Sequence, residues 1–268
     1  MQPLDKTRLN STRYTVIFAT IVCVVCALLV SVAAVSLQPR QAAAARIYME
    51  KNVLLAAGLV EPGEDISESR LREIFDRHIK ARLVNFETGE LVPEDKIDAR
   101  NYDQRKARND PTASRVAPPN NAGIGRVPTY GIVYFVIKDG KVDQSVIAVE
   151  GLGMWGTIYG FLSLAPDGNT IRGLTYYEQK ETPGLGGEIG NPKWQALWRG
   201  RKAYDEQWNP RITVIKGPAG PPETDPLRVD GLSGATVTSN AVTRLTQFWL
   251  SDAGYGKFLR RMRDGAVT

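Results

Sequence analysis

With 268 residues the chain has room for a membrane anchor and one domain of about 150 to 250 residues, and is too short for a multi-domain synthetase or a polytopic transporter. A content of 43% hydrophobic and 24% charged residues excludes wholesale disorder, and the net charge of +5 is scattered rather than gathered into a basic tract, which argues against nucleic acid as a partner. One histidine, His78, and two cysteines, Cys23 and Cys26, leave no parts for a Cys/His zinc site, a Cys-ligated cluster or a thiol protease, so any chemistry must come from carboxylates, hydroxyls, backbone amides or a bound organic cofactor.

Residues 14–37 carry no charge. At ~1.5 Å per residue such a helix crosses the ~30 Å hydrocarbon core, and the run exceeds the roughly 7 to 15 residues of a signal-peptide core. It is expected to be an uncleaved transmembrane helix. Lys6, Arg8 and Arg13 precede it against Arg40 and Arg46 after it, which favours a cytoplasmic segment at 1–13 and export of the remainder. Cys23 and Cys26 share a helix face and read as packing residues. No ionisable group interrupts the span, so it offers no ion path.

Residues 38–129 form a helical and linker region. Strong helix formers at 41–59 close at Gly58. A second helix is expected at 67–82, with Leu71, Ile74, Phe75, His78 and Ile79 at helical spacing and His78 at the stripe's boundary. The polar stretch 98–128, with Pro111, Pro118 and Pro119, reads as a long surface connection. From 130 to 268 the texture becomes that of a sheet. Two β-branched runs, 130–137 and 142–149, flank Asp139-Gly140, and two more, 157–164 and 170–177, flank Asp167-Gly168. A short strand at 211–215, an amphipathic helix from Thr238 and a basic helix at 257–263 complete the chain. Hairpins imply antiparallel pairing, so the class is α+β: one transmembrane helix, then an antiparallel-sheet domain with packed helices.

Three loops carry chemical information. Gly151-Leu-Gly-Met-Trp-Gly156 matches the dinucleotide fingerprint but runs into strand residues instead of a helix, which rejects that reading. Its aromatic neighbours Trp155 and Tyr159 suit either packing or the wall of a flat ligand. Glu181-Thr-Pro-Gly-Leu-Gly-Gly-Glu188 lets backbone approach a ligand at Gly184, Gly186 and Gly187, as it would also form a simple turn. In Asp230-Gly-Leu-Ser-Gly-Ala-Thr-Val-Thr-Ser239, the hydroxyls of Ser233, Thr236, Thr238 and Ser239 surround a helix N-terminus, where free amides and the helix dipole favour a phosphate.

Residues Asp230 to Thr236 resemble, at every position, the flavinylation motif D-[GA]-x-[ST]-G-A-T of bacterial FMN-binding domains. Together with Trp155, Tyr159-Gly160-Phe161-Leu162, the Glu181–Gly187 loop, Asn191-Pro192 with Trp194, and Val214-Ile215-Lys216-Gly217, nearly the whole chain resembles the C subunit of the Na+-translocating NADH:quinone oxidoreductases. The resemblance implies FMN in phosphoester linkage to Thr236, attached by a separate flavin transferase that uses FAD. It implies ring contacts from Glu181, Thr182, Leu185 and Gly186, walls from Trp155 and Tyr159, a cation at Lys216, and Ser233, Gly234, Ala235 and Thr238 around the attachment point. Neither a catalytic residue nor a metal is implied. The expected role is electron relay within a bacterial inner-membrane complex that oxidises NADH, reduces ubiquinone and exports Na+, with other subunits as partners and this domain in the periplasm. The flavin subunit of the Rnf complex shares the ETPGLG loop and the SGAT site, but residues 67–127 and the Trp155/Tyr159 neighbourhood favour the former. From another class, an anchored exported scaffold would use the same segment only as a helix cap.

Overall fold

The computed structural model describes residues 11–266, so most of the expected cytoplasmic segment lies outside the described residues. The chain divides into two compact units, one ending at Tyr48 and one starting at Met49. The first consists of most of helix α1, Thr12–Ala57. Its apolar side chains, from Val16 to Leu37, are exposed on all sides of the helix, and it is long and apolar enough to cross a membrane. The expected anchor and the helix at 41–59 are therefore one continuous element. It ends at Gly58 (φ 68°), where the N–H of Leu59 reaches the carbonyl of Leu54 and the N–H of Gly58 that of Leu55, a left-handed termination that glycine permits.

The second unit is a five-stranded antiparallel sheet between two helical layers. Its strands are β1 (Ile79–Asn85), β4 (Tyr130–Lys138), β5 (Lys141–Leu152), β6 (Thr157–Leu164) and β7 (Ile171–Glu178), in the order β1-β4-β5-β6-β7. Asp139 and Gly140 both take positive φ at the β4–β5 turn, the combination that matches the right-handed strand twist. One face receives the last turns of α1, with Asn52, Val53, Leu54 and Ala56 buried, and helix α2 (Glu68–His78), whose Phe75 meets Tyr134 edge-on. The other face receives α5 (Thr236–Leu250) and α6 (Gly256–Arg263), which bury Val242, Leu245, Trp249, Phe258 and Leu259. Trp249 Nε1 donates to the carbonyl of Glu150 at 2.7 Å, fixing α5 along β5.

Three expectations are corrected. Helix α2, capped by Ser67, stops at His78, and the next residues form β1, paired from Ile79 opposite Val136 to Asn85 opposite Tyr130. Here strand pairing overrides local helical spacing. The stretch 98–128 is not a bare surface connection: it contains α3 (Gln104–Asn109) and the ribbon β2 (Ser114–Val116) with β3 (Arg126–Pro128). It also buries Ala122, Ile124 and Val127 in the core, and Gln104 Oε1 accepts the N–H of Ile132 at 2.8 Å. The expected strand at 211–215 narrows to β8 (Thr213–Val214), which pairs in parallel with β9 (Arg228–Val229) just ahead of α5.

Candidate cofactor site

Helix α5 begins two residues earlier than its apolar spacing suggests, at Thr236, behind Ala235 (φ −125°, ψ 50°), and no side chain caps it. Its first-turn N–H groups therefore remain available to an anion, which the helix dipole also favours. The surrounding hydroxyls are sorted by their contacts. Thr238 is buried and donates to Glu181 Oε2, and Ser239, also buried, accepts the N–H of Leu232 at 3.3 Å. Ser233 and Thr236 face solvent. Two of the four hydroxyls are thus taken up by the fold, and Thr236 stands exposed at the first residue of the helix.

Glu181 connects this helix to the β5–β6 turn. It is 5% exposed, and its Oε1 accepts the N–H groups of Met154 and Trp155 at 2.9 and 3.0 Å. The rest of its loop folds back on Thr182, whose carbonyl accepts the N–H of Leu185 at 3.1 Å and of Gly187 at 2.9 Å. A Cβ at Gly186 would lie 2.4 Å from Thr238 Oγ1, so glycine is what lets this loop approach α5. Leu185 reaches Gly234, coming within 3.0 Å of the Cβ position there. The outcome is a rim of exposed apolar side chains, Trp155 at 63%, Leu185 at 44% and Val237 at 49%, on elements tied to the first turn of α5.

Behind the motif, Asp230 acts as an organiser. Its Oδ1 accepts the N–H of Ala219 at 2.9 Å, its carbonyl accepts Trp194 Nε1 at 3.0 Å, and the N–H of Gly231 bonds the carbonyl of Gly217 at 2.9 Å. Helix α4 (Pro192–Ala196), capped by Asn191, carries that tryptophan. The loop bearing Lys216 is thereby held against the motif, with the lysine itself exposed.

Of the residues singled out from sequence, Trp155, Glu181, Thr182, Leu185, Gly186, Ser233, Gly234, Ala235, Thr236 and Thr238 lie on these linked segments. Tyr159 does not join them through any such bond. Its ring lies 3.4 Å beneath the guanidinium carbon of Arg105, in a separate recess with Tyr102, Phe161 and Tyr177. There Arg105 also bonds Glu178 at 2.8 Å, and Arg108 pairs with Glu150 at 2.6 Å. Burial pushes the Glu150 carboxyl up, against the opposing pull of Arg108 and Arg105. Sequence reasoning missed Arg105 because it lies in the stretch read as connection. It also missed the organising part of Asp230, for which the motif's first position was the available signal.

The donor set suits a flat apolar ring joined to a phosphate: exposed Trp155 and Leu185 for the ring, and an uncapped helix start with an exposed hydroxyl for the phosphate. The match of residues 153–251 to the model of the FMN-binding domain family spans this arrangement from the Trp155 turn to the end of α5, and with the fold it defines the class: a flavin-binding protein. The chain is 44% identical over 248 residues to the C subunit of the Na(+)-translocating NADH-quinone reductase of Vibrio campbellii, covering 91% of this chain and 92% of that protein. It is 42% identical over 259 residues to the same protein of Pseudomonas aeruginosa, covering 96% and 98%. The crystal structure of Shewanella oneidensis NqrC superposes with a TM-score of 0.74 at 32% identity, over 82% of this chain and 98% of that one. The chain belongs to the NqrC family, the C subunits of the Na(+)-translocating NADH-quinone reductases.

Proposed function

We propose that this chain is the covalent-FMN relay subunit of a membrane complex in which other subunits oxidise NADH, reduce ubiquinone and export Na+. The observation that carries the proposal is Thr236: an exposed hydroxyl at the start of an uncapped helix, with the neighbouring Thr238 and Ser239 hydroxyls engaged by the fold. In the attachment, Thr236 Oγ1 displaces AMP from the flavin-side phosphorus of FAD: one O–P bond forms, one breaks, AMP departs and the hydroxyl proton is released. A separate transferase performs this step. Bound there, FMN supplies the capacity to accept and donate electrons.

The chain's own residues bind and orient. The first-turn amides of α5 and the cation at Lys216 stabilise the remaining phosphate charge. Trp155, Leu185 and Val237 give the ring an apolar bed, and Glu181, Thr182, Gly186, Ser233, Gly234, Ala235 and Thr238 shape its surroundings. Tyr159 stacks beneath Arg105 in the neighbouring recess. No base or nucleophile is required for relay, in keeping with one histidine in the whole chain. Residues 14–37 span the bacterial inner membrane with residues 1–13 cytoplasmic, and the flavin-bearing part, within 130–268, is periplasmic. The excess of Lys6, Arg8 and Arg13 before the span supports this orientation.

Covalent tethering makes cofactor retention independent of free flavin, whereas a noncovalent site empties when the free concentration falls below its Kd. In-gel flavin fluorescence after SDS denaturation tests the proposal. Protein from transferase-competent cells gives a fluorescent band, and Thr236→Ala gives a folded, non-fluorescent one. A dark wild-type band favours the scaffold reading, and a fluorescent Thr236→Ala band moves the attachment elsewhere.

A further inference from the structure

The Glu181 carboxylate has both of its oxygens engaged by partners from its own chain. Oε1 takes the N–H groups of Met154 and Trp155, and Oε2 takes the hydroxyl of Thr238. Three segments distant in sequence meet at this one group: the turn that presents Trp155, the 181–187 loop and the first turn of α5. Two glycines clear space for it. A Cβ at Gly153 would sit 2.6 Å from Oε1, and one at Gly186 would sit 2.9 Å from Oε2. Neither distance is one that real Cβ atoms adopt, so both positions pack closely against the carboxylate, among other neighbours.

We infer that Glu181 is a positioning residue for flavin attachment: it pins the first turn of α5, and with it Thr236, to the Trp155 turn, and acts through these contacts rather than as a ligand of the flavin. The inference rests on Thr236 as the acceptor. A buried carboxylate with three donors is a stiff three-way joint, because leaving the buried Glu181 carboxylate or Thr238 hydroxyl unpaired is costly. Thr238 lies two residues beyond Thr236 on the same helical turn, so its hydroxyl transmits the position of Glu181 to the acceptor. Misplacing a reacting hydroxyl by about 1 Å can slow its reaction by about 100-fold.

Position and charge are separable. Glu181→Gln keeps one oxygen to accept two N–H groups and places an NH2 against Thr238 Oγ1, which can accept. Glu181→Ala removes the joint, Thr238→Val removes one arm, and Thr238→Ser restores that arm. The full chain, made in transferase-competent cells and purified in detergent, is assayed for attached flavin by intact mass and for amide exchange by mass spectrometry. Glu181→Ala and Thr238→Val are expected to lower attachment by about tenfold or more. They should also speed exchange at 153–155 and 236–239 together while leaving β4 and β5 protected. Glu181→Gln and Thr238→Ser should stay near wild type. Wild-type attachment in both Glu181→Ala and Thr238→Val, or failure of Glu181→Gln equal to that of Glu181→Ala, overturns the inference. Should Glu181→Ala lose protection in β4 and β5, the Thr238 pair decides. An unmodified wild type would instead contradict the Thr236 reading, and the exchange data would still decide whether Glu181 joins the two segments.

Discussion

Thr236 and Thr238 share one helical turn but have opposite surroundings. The first is exposed and the second is buried against Glu181, so the same functional group is left accessible at one position and held by the fold at the other. Gly186 is the residue that keeps this arrangement compact. Its backbone needs no unusual φ, so Gly186→Ala acts through sterics: the added carbon meets Thr238 Oγ1 at 2.4 Å and Glu181 Oε2 at 2.9 Å. The variant should lose about 1–3 kcal/mol in denaturant unfolding, together with most of its attached flavin; unchanged stability and attachment would show that the loop has room to yield. At this scale the sequence was most legible where one segment sets its own local structure, as in Asp230 to Thr236, which lead into the start of α5. Tyr159 was not legible, because strand alternation gives the face on which a side chain lies but not what covers that face. Here the cover is Arg105, from a stretch without apolar periodicity.

Among elements, the four strands of the two hairpins were legible because β-branched runs and Asp-Gly turns coincide. Strand β1 was not, since its first residues extend the helical spacing of α2 and its identity depends on pairing with β4, far along the chain. The turn between β6 and β7 shows how such hairpins are held. Burial alone would raise the Asp167 carboxyl, but the hydroxyl and N–H of Thr170, the N–H of Asn169 and the charge of Lys202 together hold it below its ordinary value of 3.8. A carboxylate lowered on folding contributes stability that is present above the unfolded value and is lost as pH falls through the folded one. Asp167→Asn should therefore be less stable than wild type at neutral pH, with the difference shrinking below pH 3.8. Denaturant titrations over this range check it, and a pH-independent difference would assign the effect to lost packing rather than to charge.

For the whole molecule, an apolar helix fit to anchor it and a sheet domain with exposed apolar side chains at Trp155, Leu185 and Val237 suit a flavin relay subunit of a membrane complex. The anchor was legible because a long uncharged run has few other physical uses. Assembly with other subunits was legible only through resemblance, since a surface for partners leaves no periodic trace in a single chain. The most direct measurement is peptide mass spectrometry of residues 233–239 from protein purified with its native partners. The expected adduct has the mass of FMN less one water, with fragment ions placing it on Thr236. An unmodified peptide in that material would contradict the tethered relay, and the adduct on Ser233 would contradict Thr236 as the tether.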